Sequence, residues 1–343
     1  MDPSSLRRAF TDVFALFQRG KGLEGLVVME GYYLLSVDGA GYFSSKQVHC
    51  QRCCEKHHRD GQITYYHQML GAMLVHPDES EVIPLAPEPI LKQDGSKKND
   101  CERTAAKRLL EDIRREHPHL KLMVVEDGLA SNGPHIQLLQ SLDMRFILGA
   151  KESDHGFLFD WVNRTKDTQT CQWTDKVGVH HRFRYLNQVP LNDTHFELEV
   201  NFLEYWETRP SGKVQHFSWV TDTLITQENV MELMRGGRAR WRIENETFNT
   251  LKNQGYHFEH NFGHGHHHLA TVFAYLMMLS FLIDQIQQRC CKLFGQALEA
   301  KGSKKNLWEK LRAAFCVFDI PSWEALYRHL CDRTTKIPLP DTS

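Results

Sequence analysis

The 343-residue chain is short of several things, and each shortage removes a class of function. Charge of one sign is missing. The formal net charge is −2, so no basic field covers the molecule, and affinity for nucleic acid has to come from local patches. A long apolar run is missing too. The longest, LATVFAYLMMLSFLI over 269–283, is short for a bilayer span and flows into DQIQQR, so it is expected to be a buried core helix. The opening residues, MDPSSLRRAF, hold no hydrophobic run of the kind that directs export, and a cytoplasmic protein without a membrane partner is expected. The nine cysteines are odd in number and unevenly placed, with neighbours at Cys53–Cys54 and Cys290–Cys291, which is not the pattern of a secreted disulfide framework. Internal repeats and low-complexity tracts are absent. What remains is ordinary for a soluble globular chain, 41% apolar and 24% charged, with room for two domains or for one large domain carrying an insertion.

Periodicity gives the order of elements. Leu6, Phe10, Phe14 and Phe17 recur at helical spacing within 4–19. GYYLLSVDGAGYF (31–43) reads as a strand that ends in Asp38 and turns at Gly39 and Gly41. ITYYHQMLGAMLVH (63–76) and EVIPLAPEPI (81–90) read as two more strands, and QDGSKKND as a polar loop. A helix is expected over 100–118 with Asn99 or Asp100 as its cap, then a buried strand over 120–129 ending in Asp127. GPHIQLLQSL gives a short helix and RFILGAK another strand. From 155 to 217 the strand-like pieces FLFDWV, HHRFRYL and FELEVNFLEYWETR alternate with polar turns, a β-rich insertion. HFSWVTDTLI (216–225) returns to a buried strand, and helices follow over 227–253, 268–298, 305–317 and 321–332.

The stretch RWRIENETFNTLK (240–252) raises the chemical question. On a regular helix Glu244 shares a face with Phe248 and Leu251, while Glu246 lies opposite with Arg242 and Asn249. Glu244 is therefore expected to point inward and Glu246 to be a surface charge. An inward carboxylate is costly unless it is paired or holds a metal. Arg240, one turn earlier, offers the plainer solution of a structural ion pair. The element order favours the other. Three antiparallel strands followed by alternating β and α describe a ribonuclease-H-like α/β domain, in which the first strand lies beside the fourth. Asp38 and Asp127 then meet at one end of the sheet, and Glu244 joins them. Taken singly, Asp38 before Gly39 and Asp127 before Gly128 are ordinary turn residues. Together, three unmatched carboxylates repel one another and suit Mg²⁺ or Mn²⁺, hard cations that prefer oxygen. Arg235, Arg238, Arg240 and Arg242 supply a local basic patch beside them.

On these residues the chain resembles the bacterial insertion-sequence transposases of the DDE type, in the branch whose last carboxylate lies in a Y-R-E-K helix signature. SVDGAGYFSS, VVEDGLASNGP and RARWRIENETFNTLKNQGYHFEHNFGHG carry the likeness, which runs from about residue 25 to 285. The resemblance implies a metal-binding catalytic triad of Asp38, Asp127 and Glu244, with Arg240 and Lys252, flanked by Arg238 and Arg242, on DNA. It implies metal-dependent cleavage at transposon ends and strand transfer into target DNA, performed by a homodimer on double-stranded DNA in the bacterial nucleoid. Lys252 stands eight residues after Glu244 where the stricter pattern has seven, and Gly237 occupies the tyrosine position. The expected organisation is a helical segment at 1–30, a catalytic domain from 31–154 and 218–285, the insertion at 155–217 and a helical region at 286–343. Segment 1–30 is short for a DNA-binding region, so a truncated derivative that binds ends or partner subunits as an inhibitor is the alternative, beside a ribonuclease-H-like nuclease that cuts without joining.

HCQRCCEKHH (49–58) carries a Cys-x2-Cys zinc half-site. Cys50, Cys53 and His57 are the candidate ligands, with His67 or Cys101 completing the set; free thiols and surface histidines are the alternative. The histidine-rich tract HFEHNFGHGHHH (257–268) reads as a polar connector between helices, with His260 or His264 near the acidic site. Trp161, Trp173, Trp206 and Trp219 fill the core of the insertion or stack on an unpaired base.

Overall fold

Two long strands set the frame. In the computed structural model, which describes residues 2–92, 101–265, 267–332 and 337–338, β1 (Tyr33–Ser45) and β3 (Ile63–Val75) pair antiparallel. Their register runs from Leu34 opposite Val75 to Ser45 opposite Tyr65, with a bulge between Gly41 and Phe43. The expected turn at Gly39 and Gly41 is therefore strand, because Gly39, Ala40 and Gly41 pair on with Leu70, Met69 and Gln68. A short edge strand, β2 (Cys54–His57), pairs with β3. EVIPLAPEPI is not one strand but two, β4 (Ile83–Pro84) and β5 (Glu88–Ile90), each paired with β3. Pro84, Pro87 and Pro89 have no N–H to donate to a continuous ladder. The QDGSKKND loop, with Asn99 and Asp100, lies outside the described residues.

Strand β6 (Leu122–Glu126) runs parallel to β1, with Leu35 opposite Val124, so the first strand lies beside the strand expected over 120–129, as the element order required. β7 (Arg145–Gly149) is parallel to β6, and β11 (Val214–Thr221) is antiparallel to β7. β10 (Glu199–Thr208), β9 (His180–Pro190) and β8 (Gln169–Thr174) follow outward, giving an eleven-stranded mixed sheet. The β-rich segment thus extends the main sheet through β11. It opens with a helix rather than a strand: FLFDWV lies in α4 (Gly156–Arg164), which buries Leu158, Phe159 and Val162 on one face. So short an apolar cluster fits either period, and packing on β9 decides it.

Helix α1 (Arg7–Arg19) buries Phe10, Phe14 and Phe17. α2 (Glu102–Glu116) begins after Cys101, which makes no side-chain cap bond, and α3 (Gly133–Ser141) is capped by Asn132 through the His135 N–H. The helix expected over 227–253 is not one regular α-helix. It comprises α5 (Val230–Ala239), a π-helical turn at Ile243–Phe248 and α6 (Asn249–Asn253). The helix expected over 268–298 divides at Cys291 into α7 (Leu269–Cys290) and α8 (Lys292–Lys301). Among the described residues α7 alone is long and apolar enough to cross a membrane, with a mean hydropathy of 1.8. Its polar groups nevertheless bond to the sheet side: Gln285 accepts from the Val82 N–H (3.1 Å) and the Tyr275 hydroxyl donates to the Pro87 carbonyl (2.6 Å). α8, α9 (Lys304–Val317) and α10 (Trp323–Cys331) enclose a separate small core around Phe294, Trp308 and Tyr327.

Candidate active site

The parallel ladder of β1 and β6 ends at Ser36 opposite Val125, and each strand places an aspartate two residues beyond. Asp38 is consequently mid-strand with respect to β3, where it faces Gly71, yet just past the ladder with respect to β6. That is where side chains gather at the carboxyl end of a parallel pair. Asp38 and Asp127 line one small cavity of about 80 Å³ together with Glu102, Glu126 and His135. One oxygen of each aspartate is already fixed by backbone: Asp38 accepts from the Gly39 N–H (2.8 Å) and Asp127 from the Leu129 N–H (2.9 Å).

Carboxylates outnumber cationic groups here, with Asp38, Glu102, Glu126 and Asp127 beside Arg103 and His135. Burial pushes the Asp38 carboxyl up to about 6, with Glu244 and Asp127 adding to the rise and the Gly39 bond and Arg240 opposing it. Glu102 is raised as well, by burial first and then by Asp127. Glu126 has its own partner, the His135 ring at 2.6 Å. Burial alone would lower His135, but the charge and hydrogen bond of Glu126 outweigh it and raise the ring's pKa. Nothing local in the sequence marks Glu102 or His135 as lining a cavity with Asp127.

Glu244 departs from the expected placement. Its side chain is 45% exposed, against 32% for Glu246 and 17% for Arg240. The buried face of this helix is Ile243, Thr247, Phe248, Thr250 and Leu251, and Trp241 is exposed. The π-helical turn is the cause. It widens the helix by one residue per turn, so a regular helical wheel places the side chains out of phase. Glu244 nevertheless reaches Asp38 through Arg240, whose Nη1 lies 2.7 Å from Glu244 and 3.5 Å from Asp38. The helix is held there by its backbone and by packing. The Ser36 hydroxyl donates to the Arg240 carbonyl (3.1 Å), and the Phe248 ring lies over Gly71, the residue opposite Asp38.

Every basic residue assigned to DNA has a partner within the chain. Arg240 holds the two carboxylates, Arg238 pairs with Glu207 (2.6 Å), Arg242 with Glu246 (3.2 Å) and Lys252 with Glu259 (2.8 Å). Arg235, Arg238, Trp241, Arg242 and Glu246 line an open cleft of about 330 Å³ beside the site. Of the tryptophans, Trp219 is buried and Trp173 stacks on Phe183, whereas Trp206 carries Arg182 on its face at 4.0 Å and Trp161 is 37% exposed.

The Cys-x2-Cys segment gathers Cys50, Cys53 and His67 of the expected set, with His264 in place of His57. Cys50, Cys53, His67 and His264 bring one ligand atom each to within 4.8 Å of one another. Among the described residues no carboxylate belongs to a group that tight. His57 stands outside, exposed at the end of edge strand β2 and paired with Glu55 (3.2 Å). Cys101 is exposed and meets Thr104 (3.3 Å) instead. His264 therefore sits with the cysteines, while His260 packs edge-on against Phe262. His266, in the same tract, lies outside the described residues. The hydrogen bond with Cys53, then that with His67, draws the Cys50 thiol down to about 3, and the same bond together with burial raises Cys53.

No family model matches the sequence, and no curated protein matches it. Among solved structures the chain is similar to the piggyBac transposase in a synaptic complex with hairpin DNA, at 11% identity and a TM-score of 0.43. That alignment covers 100% of this chain and 66% of the other, so this chain spans just under two thirds of that transposase.

Proposed function

We propose that the chain is a DDE transposase with a ribonuclease-H-like catalytic core, cutting DNA at transposon ends and joining the freed 3′-hydroxyl to target DNA. One observation carries the reading: Asp38 and Asp127 stand just past the end of the parallel β1–β6 ladder, and the helix bearing Glu244 is packed beside Asp38. The residues fit a hard divalent cation. The Asp38 side chain is 29% exposed and sits among like charges, an arrangement that favours protonation unless a cation enters. Asp38, Asp127 and Glu244 would hold Mg²⁺ or Mn²⁺, which when bound supplies Lewis-acid activation of the attacking oxygen and neutralises the leaving one. Arg240, which bridges Asp38 and Glu244, would turn to the scissile phosphate, for which its planar fork is suited. Arg238, Arg242 and Lys252 exchange their carboxylate partners for backbone phosphates, an exchange that releases counterions and makes end binding salt-dependent. The protein works as a homodimer on paired ends, in the cytoplasm of a bacterial cell.

A second reading has an observation of its own. The guanidinium of Arg240 already neutralises Asp38 and Glu244, as it would in a non-catalytic derivative that binds ends or partner subunits and inhibits them. Nicking of a supercoiled plasmid carrying the DNA that flanks the coding sequence separates the two. In Mg²⁺ or Mn²⁺ the wild type and Glu246→Gln nick, and Glu244→Gln falls by about a hundredfold or more, as for loss of a ligand or electrostatic catalyst. Equal nicking by all three proteins would remove Glu244 from the site. Retention of DNA on a gel with no nicking by any protein favours the inhibitor.

A further inference from the structure

The sulfur and nitrogen atoms of Cys50, Cys53, His67 and His264 are spaced as the corners of a zinc tetrahedron. Zinc lies about 2.3 Å from a thiolate sulfur and about 2.0–2.1 Å from an imidazole nitrogen. A tetrahedron of those bonds separates two sulfurs by about 3.8 Å, sulfur from nitrogen by about 3.5 Å and two nitrogens by about 3.3 Å. Here Cys50 Sγ and Cys53 Sγ are 3.7 Å apart. His67 Nε2 lies 3.5 Å from Cys50 Sγ and 3.3 Å from Cys53 Sγ. His264 Nδ1 lies 3.3 Å from His67 Nε2 and 4.0 Å from Cys53 Sγ. A disulfide would bring the two sulfurs to about 2.05 Å, and both cysteines are free. Two soft and two borderline donors in this arrangement suit zinc rather than Mg²⁺ or Ca²⁺.

The surroundings are built for a ligand set. The Cys50 N–H points at Cys53 Sγ (3.4 Å) across a turn closed by the Cys53 N–H and the Cys50 carbonyl (3.2 Å). A sulfur that accepts a backbone N–H is stabilised as thiolate. Tyr42 stacks on the His67 ring at 5.6 Å, and Phe43 meets the His264 ring edge-on at 4.3 Å, so neighbouring aromatics fix both imidazoles. The distal nitrogens, His67 Nδ1 and His264 Nε2, are buried with no protein acceptor, so ring packing rather than a carboxylate orients them.

We propose that Cys50, Cys53, His67 and His264 form a closed structural zinc site that ties the connector after the Glu244 helix to the hairpin bearing Asp38. The ligands come from three remote places. His264 is 211 residues from Cys53 and 197 from His67, and it follows α6 directly along the chain. A closed four-ligand site leaves no open position for catalysis, so its role is to brace. Binding takes both sulfurs as thiolates and adds to folding stability. This inference does not rest on the transposase reading and stands if that reading fails.

Elemental analysis and cobalt substitution of the purified full chain test it. The expected result is one zinc per chain. The Co²⁺-exchanged protein then shows the intense visible bands of tetrahedral cobalt together with a thiolate-to-cobalt charge-transfer band. Cys53→Ser and His264→Gln lower zinc affinity tenfold or more and change the cobalt spectrum; His57→Gln and Cys101→Ser do neither. Chelation of the wild-type protein makes residues 257–268 cleavable by protease, a readout independent of whether the variants fold. Wild-type protein without zinc and without a tetrahedral cobalt spectrum would overturn the proposal. So would a His264→Gln spectrum identical to wild type, or a metal lost with His57→Gln.

Discussion

At the scale of single residues, Asp38 carries the most information. Its carboxyl is raised from 3.8 to about 6, chiefly by burial. An acid whose folded pKa exceeds its unfolded value contributes most to stability below the unfolded value, and that contribution is lost as pH rises through the folded one. In metal-free protein Asp38 therefore costs stability above about pH 6. Asp38→Asn should be more stable than wild type near neutral pH by on the order of 1 kcal/mol, discounted for solvent at its edge, and indistinguishable near pH 4. Urea midpoints across that range check it, and a difference that does not change with pH would contradict it. Mg²⁺ should raise the wild-type midpoint above pH 6 and leave Asp38→Asn unmoved. Asp38 and Asp127 were legible in the sequence because each follows a buried β run. Glu244's exposure was not, since a π-helical turn leaves no mark in hydrophobic periodicity. Nor could His264 be assigned to the cysteines, because a ligand some two hundred residues distant has no local signal.

At the scale of elements, close packing on Trp219 explains why residue 237 is glycine. α5 crosses β11 so closely that a Cβ at Gly237 would fall 2.5 Å from the Trp219 indole nitrogen. A tyrosine there has no room in this packing. Gly237→Ala should destabilise by about 1–3 kcal/mol through overpacking, despite alanine's better helix propensity. Denaturant unfolding measures this, and an unchanged or raised midpoint would show that Trp219 moves aside freely. Elements with a clean period were legible: the long strands β1 and β3, and helices α1 and α2. EVIPLAPEPI was misread where three prolines interrupt a ladder, and FLFDWV where a short apolar cluster fits strand and helix equally.

At the scale of the molecule, the sheet is continuous from β2 to β8, so the β-rich segment shares a backbone hydrogen-bond network with the strands that carry Asp38 and Asp127. The sequence texture marked that segment, but edge pairing through β11 depends on tertiary register that composition does not encode. Joint action of Asp38, Asp127 and Glu244 on a phosphodiester is the core of the proposed function. Its most direct measurement is strand transfer: a duplex of the flanking DNA, pre-cut to expose its 3′-hydroxyl, is incubated with supercoiled plasmid and Mg²⁺ or Mn²⁺. The account predicts joined product with wild type and Glu246→Gln, and a loss of about a hundredfold or more with Asp38→Asn, Asp127→Asn and Glu244→Gln alike. Joining undiminished in those three variants, or none by wild-type protein that binds the duplex, would contradict it.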